Sequence, residues 1–210
     1  MPEPTTLLLF AGAAIALLIV PGPSVLYIVS RGIHQGRAAA LVSVAGITTA
    51  TLVHTAFAAI GLSAILASSA AAFTVVKLAG SAYLIWLAVR TWLDRSGELV
   101  DTPRPRVPLR RVYAEGVVVN LLNPKTALFV LALLPQFVDP TRGPAGPQIV
   151  VFGLVLAGLG LVSDGAYALA SGSLGSWLRR RRSLASAQRR VSAVIFAGLG
   201  VGTALAGQRS

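Results

Sequence analysis

The sequence predicts an all-α integral membrane protein: six transmembrane helices forming two inverted three-helix repeats, with helices 1 and 4 broken. Three observations predict it. The chain is 55% hydrophobic and 12% charged, with a mean hydropathy of +0.75, which is not the composition of a soluble domain. Six apolar stretches stand out, each near the roughly 20 residues a span needs. And a proline motif sits deep inside an apolar stretch at matching places in the two halves, Pro21-Gly22-Pro23 and Asn123-Pro124-Lys125.

Span 1, about Thr6–Ser30, contains the first motif. Proline has no amide donor and clashes with the preceding turn. In hydrocarbon the freed carbonyls must find partners in protein or trapped water, so the break should face a protein-lined cavity. Span 2, Ala39–Leu66, carries His54 near its middle, and span 3, Ala72–Trp92, carries Lys77. Tyr83, Trp86 and Trp92 of span 3 include interfacial anchors, Trp92 foremost. Asp94–Leu109 follows, with Pro103, Pro105, Pro108 and mixed charges, and reads as an extended connector. Span 4, Val112–Phe137, contains the second motif, with Glu115 near its start. Asp139–Pro147 is a short loop rich in Pro and Gly. Span 5, Gln148–Ser173, carries Asp164 at its middle, and the short span 6, Val191–Ala206, is rich in glycine. Gly46, Gly61, Gly80, Gly153, Gly158 and Gly160 are expected to permit close helix packing. The whole chain, 1–210, reads as one transmembrane domain: a first repeat over about 1–93, a linker over about 94–110 and a second repeat over about 111–210.

Charge sets the orientation. Fourteen of the eighteen basic residues fall on alternate connections. They are Arg31 and Arg37 after span 1, six arginines around the mid-chain linker, and six over Arg179–Arg190. The positive-inside rule then places those connections in the cytoplasm and both termini outside. Because the bias tracks the membrane, the net charge of +11 reads as topology anchors near anionic lipid, not as a nucleic-acid surface. With no cysteine, disulfides and thiolate metal sites are excluded. The start does not resemble a cleaved signal peptide, since Glu3 and no Lys or Arg precede the first apolar run.

The two breaks align as Pro23-Ser-Val-Leu-Tyr-Ile-Val beside Pro124-Lys-Thr-Ala-Leu-Phe-Val, each a break followed by an apolar helix. Gly22 and Asn123 stand at the N-cap and Pro23 and Pro124 at the first helical position. Spans 3 and 6 share Ala-Gly, at Ala79-Gly80 and Ala197-Gly198. Three spans per half force the halves to be inverted. Paired broken helices of this kind mark a transporter site. Their N-termini would present partial positive charge to one cavity, which suits a carboxylate. The alternative is a pair of structural kinks.

Ionisable residues inside spans are functional candidates by default. Asp164 is the candidate proton site, the alternative being a permanent ion pair with Lys125 or Lys77. Lys125 would hold a substrate carboxylate or pair with Asp164. Asn120 shares a helix face with Asn123. His54, Lys77 and Glu115 are accessory candidates. Each has a structural alternative: packing for His54, outward snorkelling for Lys77, and a helix-N-terminal charge beside Arg110 and Arg111 for Glu115.

These motifs resemble the LysE/RhtB family of amino-acid exporters over nearly the whole chain. The carriers are Pro21-Gly22-Pro23, Ala79-Gly80-Ser81-Ala82-Tyr83-Leu84-Ile85-Trp86-Leu87, Asn120-Leu121-Leu122-Asn123-Pro124-Lys125, Leu134-Pro135-Gln136-Phe137 and Asp164. The resemblance implies six spans in a bacterial inner membrane and proton-driven export of amino acids or close derivatives. It is closest to the homoserine, homoserine lactone and threonine branch. The substrate-binding residues would be Pro21, Gly22, Pro23, Asn120, Asn123, Pro124 and Lys125, with Asp164 coupling protons. The implied partners are the amino acid, protons and the bilayer, with no cofactor and a homodimer left open. The pattern departs at Gly165-Ala166-Tyr167, where bulkier residues are expected, so substrate size stays open. Two other readings compete. Cation efflux, a trait of a related branch, is disfavoured because no Cys and only the initiating Met are present. An intramembrane enzyme would need a nucleophile and base or a metal set, and His34 and His54 do not form one.

Overall fold

A computed structural model describes residues 1–19, 21–68 and 106–180, with isolated helical positions at Ala82, Trp86, Val89, Val194, Ala197 and Val201. Spans 3 and 6, Lys77, Ala79-Gly80 and the linker over 94–105 lie outside the described residues or touch them only at those positions. The described chain is helical. In order it forms α1 (Pro4–Ile19), α2 (Pro23–Gln35), α3 (Arg37–Ser68), α4 (Leu109–Leu121), α5 (Pro124–Leu128) and α6 (Ala145–Arg180).

α3 and α6 each contain an unbroken stretch long and apolar enough to cross a membrane, Arg37–Gly61 and Ala145–Ser171. Expected spans 1 and 4 are bent pairs. α1 and α2 meet at 52°, and α4 and the helical segment after it meet at 57°. Both bends fall at the proline motifs. The caps are those the sequence implies. Gly22 is extended ahead of Pro23, and Asn123 is extended ahead of Pro124, its side chain accepting from the Lys125 amide at 3.1 Å. The segment after Pro124 is not one α-helix, however. It becomes a π-helical turn over Phe129–Leu133 and a 3-10 turn over Leu134–Phe137. Pro135, which lacks an amide, is the second residue of that last turn and stops the regular ladder.

α2 also runs past the expected end of span 1, so Arg31 is not a loop charge. It lies in the helix and is buried. Gly36 then takes φ +93°, a left-handed conformation that glycine alone adopts freely, and the chain reverses into α3.

Two apolar clusters hold the helices together. One gathers Phe10, Ala14 and Leu17 of α1, Ala58 of α3, Phe129, Val130 and Leu133, and Ile149, Phe152 and Leu156 of α6. Phe10 is its hub, with ring centroids 4.9 Å from Phe152, 5.3 Å from Phe137 and 5.8 Å from Phe129. The second joins Tyr27 and Ile28 of α2 to Ala40, Val44 and Ile47 of α3 and Ala168 of α6. Leu8, Leu9, Phe57, Ile60, Leu154 and Val162 remain exposed. Such an outward apolar surface would be a liability in water and suits lipid.

Glycines set the closest approaches. A Cβ on Gly46 of α3 would lie 2.3 Å from the Tyr113 carbonyl, and one on Gly116 of α4 would lie 2.9 Å from the Ser43 carbonyl. A Cβ on Gly153 would run into Thr55. The expectation of close packing therefore holds for Gly46 and Gly153. Among the described residues nothing lies within 4 Å of a Cβ built on Gly61 or Gly158, and one on Gly160 meets Leu18 at 3.8 Å.

The N-terminus and the loop after span 4 share one end of the molecule. Arg142 pairs with Glu3 at 3.2 Å and Asp139 at 3.4 Å. Buried Gln148 shapes the loop, donating to the Asp139 and Gly143 carbonyls and accepting the Asp139 amide. The Thr141 hydroxyl and amide donate to Asp139 and hold its carboxyl below the usual range. At the other end, Gln35 exchanges hydrogen bonds with the Val107 backbone, fixing the start of α4 beside the end of α2.

Candidate functional site

The two breaks meet. Ser24, in the first turn of α2, donates to Asn120 Oδ1 at 2.9 Å and accepts from Asn123 Nδ2 at 2.8 Å. Asn120 Oδ1 also accepts from Thr126 at 2.9 Å, and its Nδ2 donates to the Ile47 carbonyl at 2.8 Å and to Thr51 at 3.0 Å. Asn120 and Asn123 are 1% and 3% exposed, so their amides must be satisfied internally, and they are. This network joins α2, α3, α4 and α5.

The prolines explain two more contacts. A helical amide bonds the carbonyl four residues earlier. Pro23 therefore frees the Ile19 carbonyl, and Pro124 frees that of Asn120. The Tyr167 hydroxyl donates to the Ile19 carbonyl at 3.2 Å. The Asn120 carbonyl has His54 Nε2 at 3.3 Å and the Asn123 amide at 3.1 Å. Each break is thus capped by a ring from an unbroken span, α6 for the first and α3 for the second.

Beside this network lies a small cavity of about 50 Å³. Gly22, Ser24, Thr51, Asn120, Asn123, Lys125, Thr126 and Asp164 supply its polar and flexible wall, and Leu17, Val25, Ile47 and Leu156 are part of its apolar wall. Both half-helix N-termini reach it, α2 through Gly22 and Ser24 and α5 through Lys125. The Lys125 chain passes over Gly22: a Cβ built there would lie 3.1 Å from Lys125 Cδ and 3.8 Å from Nζ. Lys125 and Asp164 share the cavity and interact electrostatically across it. Asp164 is 6% exposed. The volume admits a few waters, so an amino acid requires the walls to part.

Of the sequence-predicted residues, Gly22, Asn120, Asn123, Lys125 and Asp164 therefore come together on one cavity. Pro21, Pro23 and Pro124 shape the breaks that place them. His54 sits behind the network on the Asn120 carbonyl. Lys77 lies outside the described residues. Glu115 does pair with Arg111, at 3.0 Å, but it also meets Arg31 and Tyr27, and it faces a separate recess. Sequence reasoning missed Ser24, Thr51 and Thr126, whose hydroxyls complete the network. It also missed Tyr167, which it read only as a small-residue region. The signal for Ser24 and Thr126 was their place in the first turn after each proline. Thr51 and Tyr167 carried no local signal.

A family model described as LysE type translocator matches residues 15–207. An uncharacterized membrane protein of Vibrio cholerae is 32% identical over 79% of this chain and 80% of its own. A homoserine/homoserine lactone efflux protein of Salmonella typhimurium is 29% identical over 78% of this chain and 79% of its own. A threonine efflux protein of Escherichia coli K12 is 30% identical over 61% of this chain and 65% of its own. No solved structure matches.

Proposed function

The chain belongs to the LysE type translocator family, and from that premise we propose that it exports small amino acids or close derivatives, of the homoserine, homoserine lactone or threonine kind, driven by the proton gradient. Membership makes it a membrane transporter and not an enzyme. The observation that carries the substrate reading is the shared cavity, where two half-helix N-termini, Lys125 and Asp164 converge.

Lys125 and the first turns of α2 and α5 hold the substrate carboxylate, as helix N-termini do. The Ser24, Thr51 and Thr126 hydroxyls and the Asn120 and Asn123 amides offer donors and acceptors to the rest of a small polar molecule. Asp164 carries the proton. Its protonation is coupled to substrate release, so the site crosses the membrane loaded with substrate or with a proton and not with both. One substrate leaving is thereby coupled to one proton entering.

The chain works as six spans in two inverted repeats that rock against each other, with both termini outside. The capping contacts support this reading. Ile19 and Asn120 precede Pro23 and Pro124 by the same interval, and Thr51 and His54 on α3 have the spacing of Asp164 and Tyr167 on α6. Exchanging the halves maps the Tyr167–Ile19 contact onto the His54–Asn120 contact.

Flux of labelled threonine and homoserine from proteoliposomes, with and without a pH gradient and in competition with other amino acids, tests the proposal. Gradient-stimulated, saturable flux is expected. A protein that inserts but moves none of the amino acids refutes it.

A further inference from the structure

A second recess lies one layer away from the cavity and has no role in the cycle above. It measures about 480 Å³ and opens between α2 and α4, on the face where α2 ends and α4 begins. Its wall carries Tyr27, Arg31, Arg111 and Glu115. Glu115 Oε2 takes Arg31 Nη2 and lies 3.1 Å from the Tyr27 hydroxyl, and its Oε1 takes Arg111 Nε at 3.0 Å. Arg31 Nε donates to the Tyr27 oxygen at 3.3 Å. The order of charge is therefore cation, anion, cation. Exposure grades along it: the side chains of Arg31, Glu115 and Arg111 are 4%, 31% and 67% exposed. A solute meets Arg111 first, Glu115 next and Arg31 last.

Two further facts fix what this row is suited to. Tyr27 follows the cavity residue Ser24 by three positions, about 4.5 Å of helix, and Val119 of the recess adjoins Asn120 of the cavity. The recess thus ends about one turn short of the cavity. And the Arg31–Glu115 pair ties α2 to α4, so it crosses the line along which the two halves would separate. Breaking such a pair without replacement leaves bare buried charge. A zwitterion carries a replacement for each partner. A neutral or singly charged solute does not.

We propose that this recess is the loading site for a zwitterionic α-amino acid, its ammonium taken by Glu115 and its carboxylate by Arg111 and then Arg31, so that binding itself releases the α2–α4 clasp. The proposal rests on the amino-acid export reading. A phosphatidylethanolamine headgroup presents the same ammonium and anion, so the test separates the two sources.

The experiment measures threonine KM separately at each face of oriented proteoliposomes, made with and without phosphatidylethanolamine, for wild type, Arg111→Gln and Glu115→Gln. KM at the recess face is expected to rise about tenfold or more in both variants, in either lipid, with KM at the opposite face within about twofold of wild type. Arg111 is mostly exposed, so its variant reports even where Glu115→Gln does not fold. Equal KM at the recess face, or equal rises at both faces, overturns the proposal. Retained phosphatidylethanolamine that drops in Arg111→Gln while threonine KM stays fixed assigns the recess to lipid and overturns it as well. Failure of the export reading looks different, because wild type then moves no amino acid from either face. In that case calorimetry of threonine with Lys125→Gln still reads the recess, and absence of Arg111-dependent binding there overturns the proposal.

Discussion

Asn120→Ala removes the residue on which the two breaks converge. In the wild type Asn120 Oδ1 accepts from Ser24 and Thr126, both at 2.9 Å, and Nδ2 donates to Ile47 and Thr51. Alanine leaves the Ser24 and Thr126 hydroxyls without that acceptor, while each keeps its contact with Asn123 Nδ2. The Ile47 carbonyl keeps the Thr51 hydroxyl at 3.2 Å. The buried Ser24 donor and the half-buried Thr126 donor are thus left bare, at about 1–3 kcal/mol each. Their remaining contacts favour the lower half of that range, so the loss is about 2–3 kcal/mol. At about 2–4 °C per kcal/mol for a chain of this size, the unfolding midpoint in detergent should drop by roughly 5–10 °C. Ser24→Ala and the double variant complete a cycle. Because the two side chains share a bond, the coupling should be about 1 kcal/mol, not zero. A midpoint for Asn120→Ala within about 1 °C of wild type, or effects that simply add, would refute the claim that this network joins the halves.

Lys125→Gln should insert normally yet lose amino-acid transport, while a lactone substrate, lacking the carboxylate, loses less; equal loss for both points to a structural role. Asp164→Asn should lose net efflux driven by a pH gradient and keep exchange of labelled for unlabelled substrate, with both read on one preparation. Gly46→Ala should force α3 and α4 apart, because its Cβ meets the Tyr113 carbonyl at 2.3 Å, and should cost upwards of ~2 kcal/mol as backbone overpacking does. Gly158→Ala, with nothing within 4 Å among the described residues, should stay within about 0.5 kcal/mol; thermal melts of both check the packing assignment. A cysteine introduced at Thr102, in a chain with none of its own, should stay unlabelled by an impermeant reagent added outside intact cells, and labelling there reverses the proposed orientation.

The sequence by itself determined whatever depends on a residue and its near neighbours. Apolar runs located the two unbroken apolar helices and the two bent pairs among the described residues, because a bilayer demands about 20 such residues in a row. Pro21-Gly22-Pro23 and Asn123-Pro124-Lys125 located both bends, because proline's missing amide breaks the ladder wherever it stands. The Asn123 cap followed from its place one residue before Pro124. That Lys125 and Asp164 face each other across one cavity was among the alternatives legible in the sequence, since buried charge requires a use or a partner. Tertiary structure decided everything that needs two helices at once. That Tyr167 would reach Ile19 and His54 would reach Asn120 depends on where α6 and α3 pass the breaks. Which glycines matter depends on where another backbone arrives, so Gly46 and Gly116 touch a neighbouring helix while, among the described residues, Gly61 and Gly158 do not. Arg31 shows the limit most clearly. In sequence it is one more arginine after an apolar run, equivalent to Arg37. Only the extension of α2 to Gln35, and Glu115 arriving from a helix more than eighty residues away, turn it into a buried ion pair. Charge along a chain reports distance from the membrane, but the partner of a charge is fixed by packing in three dimensions.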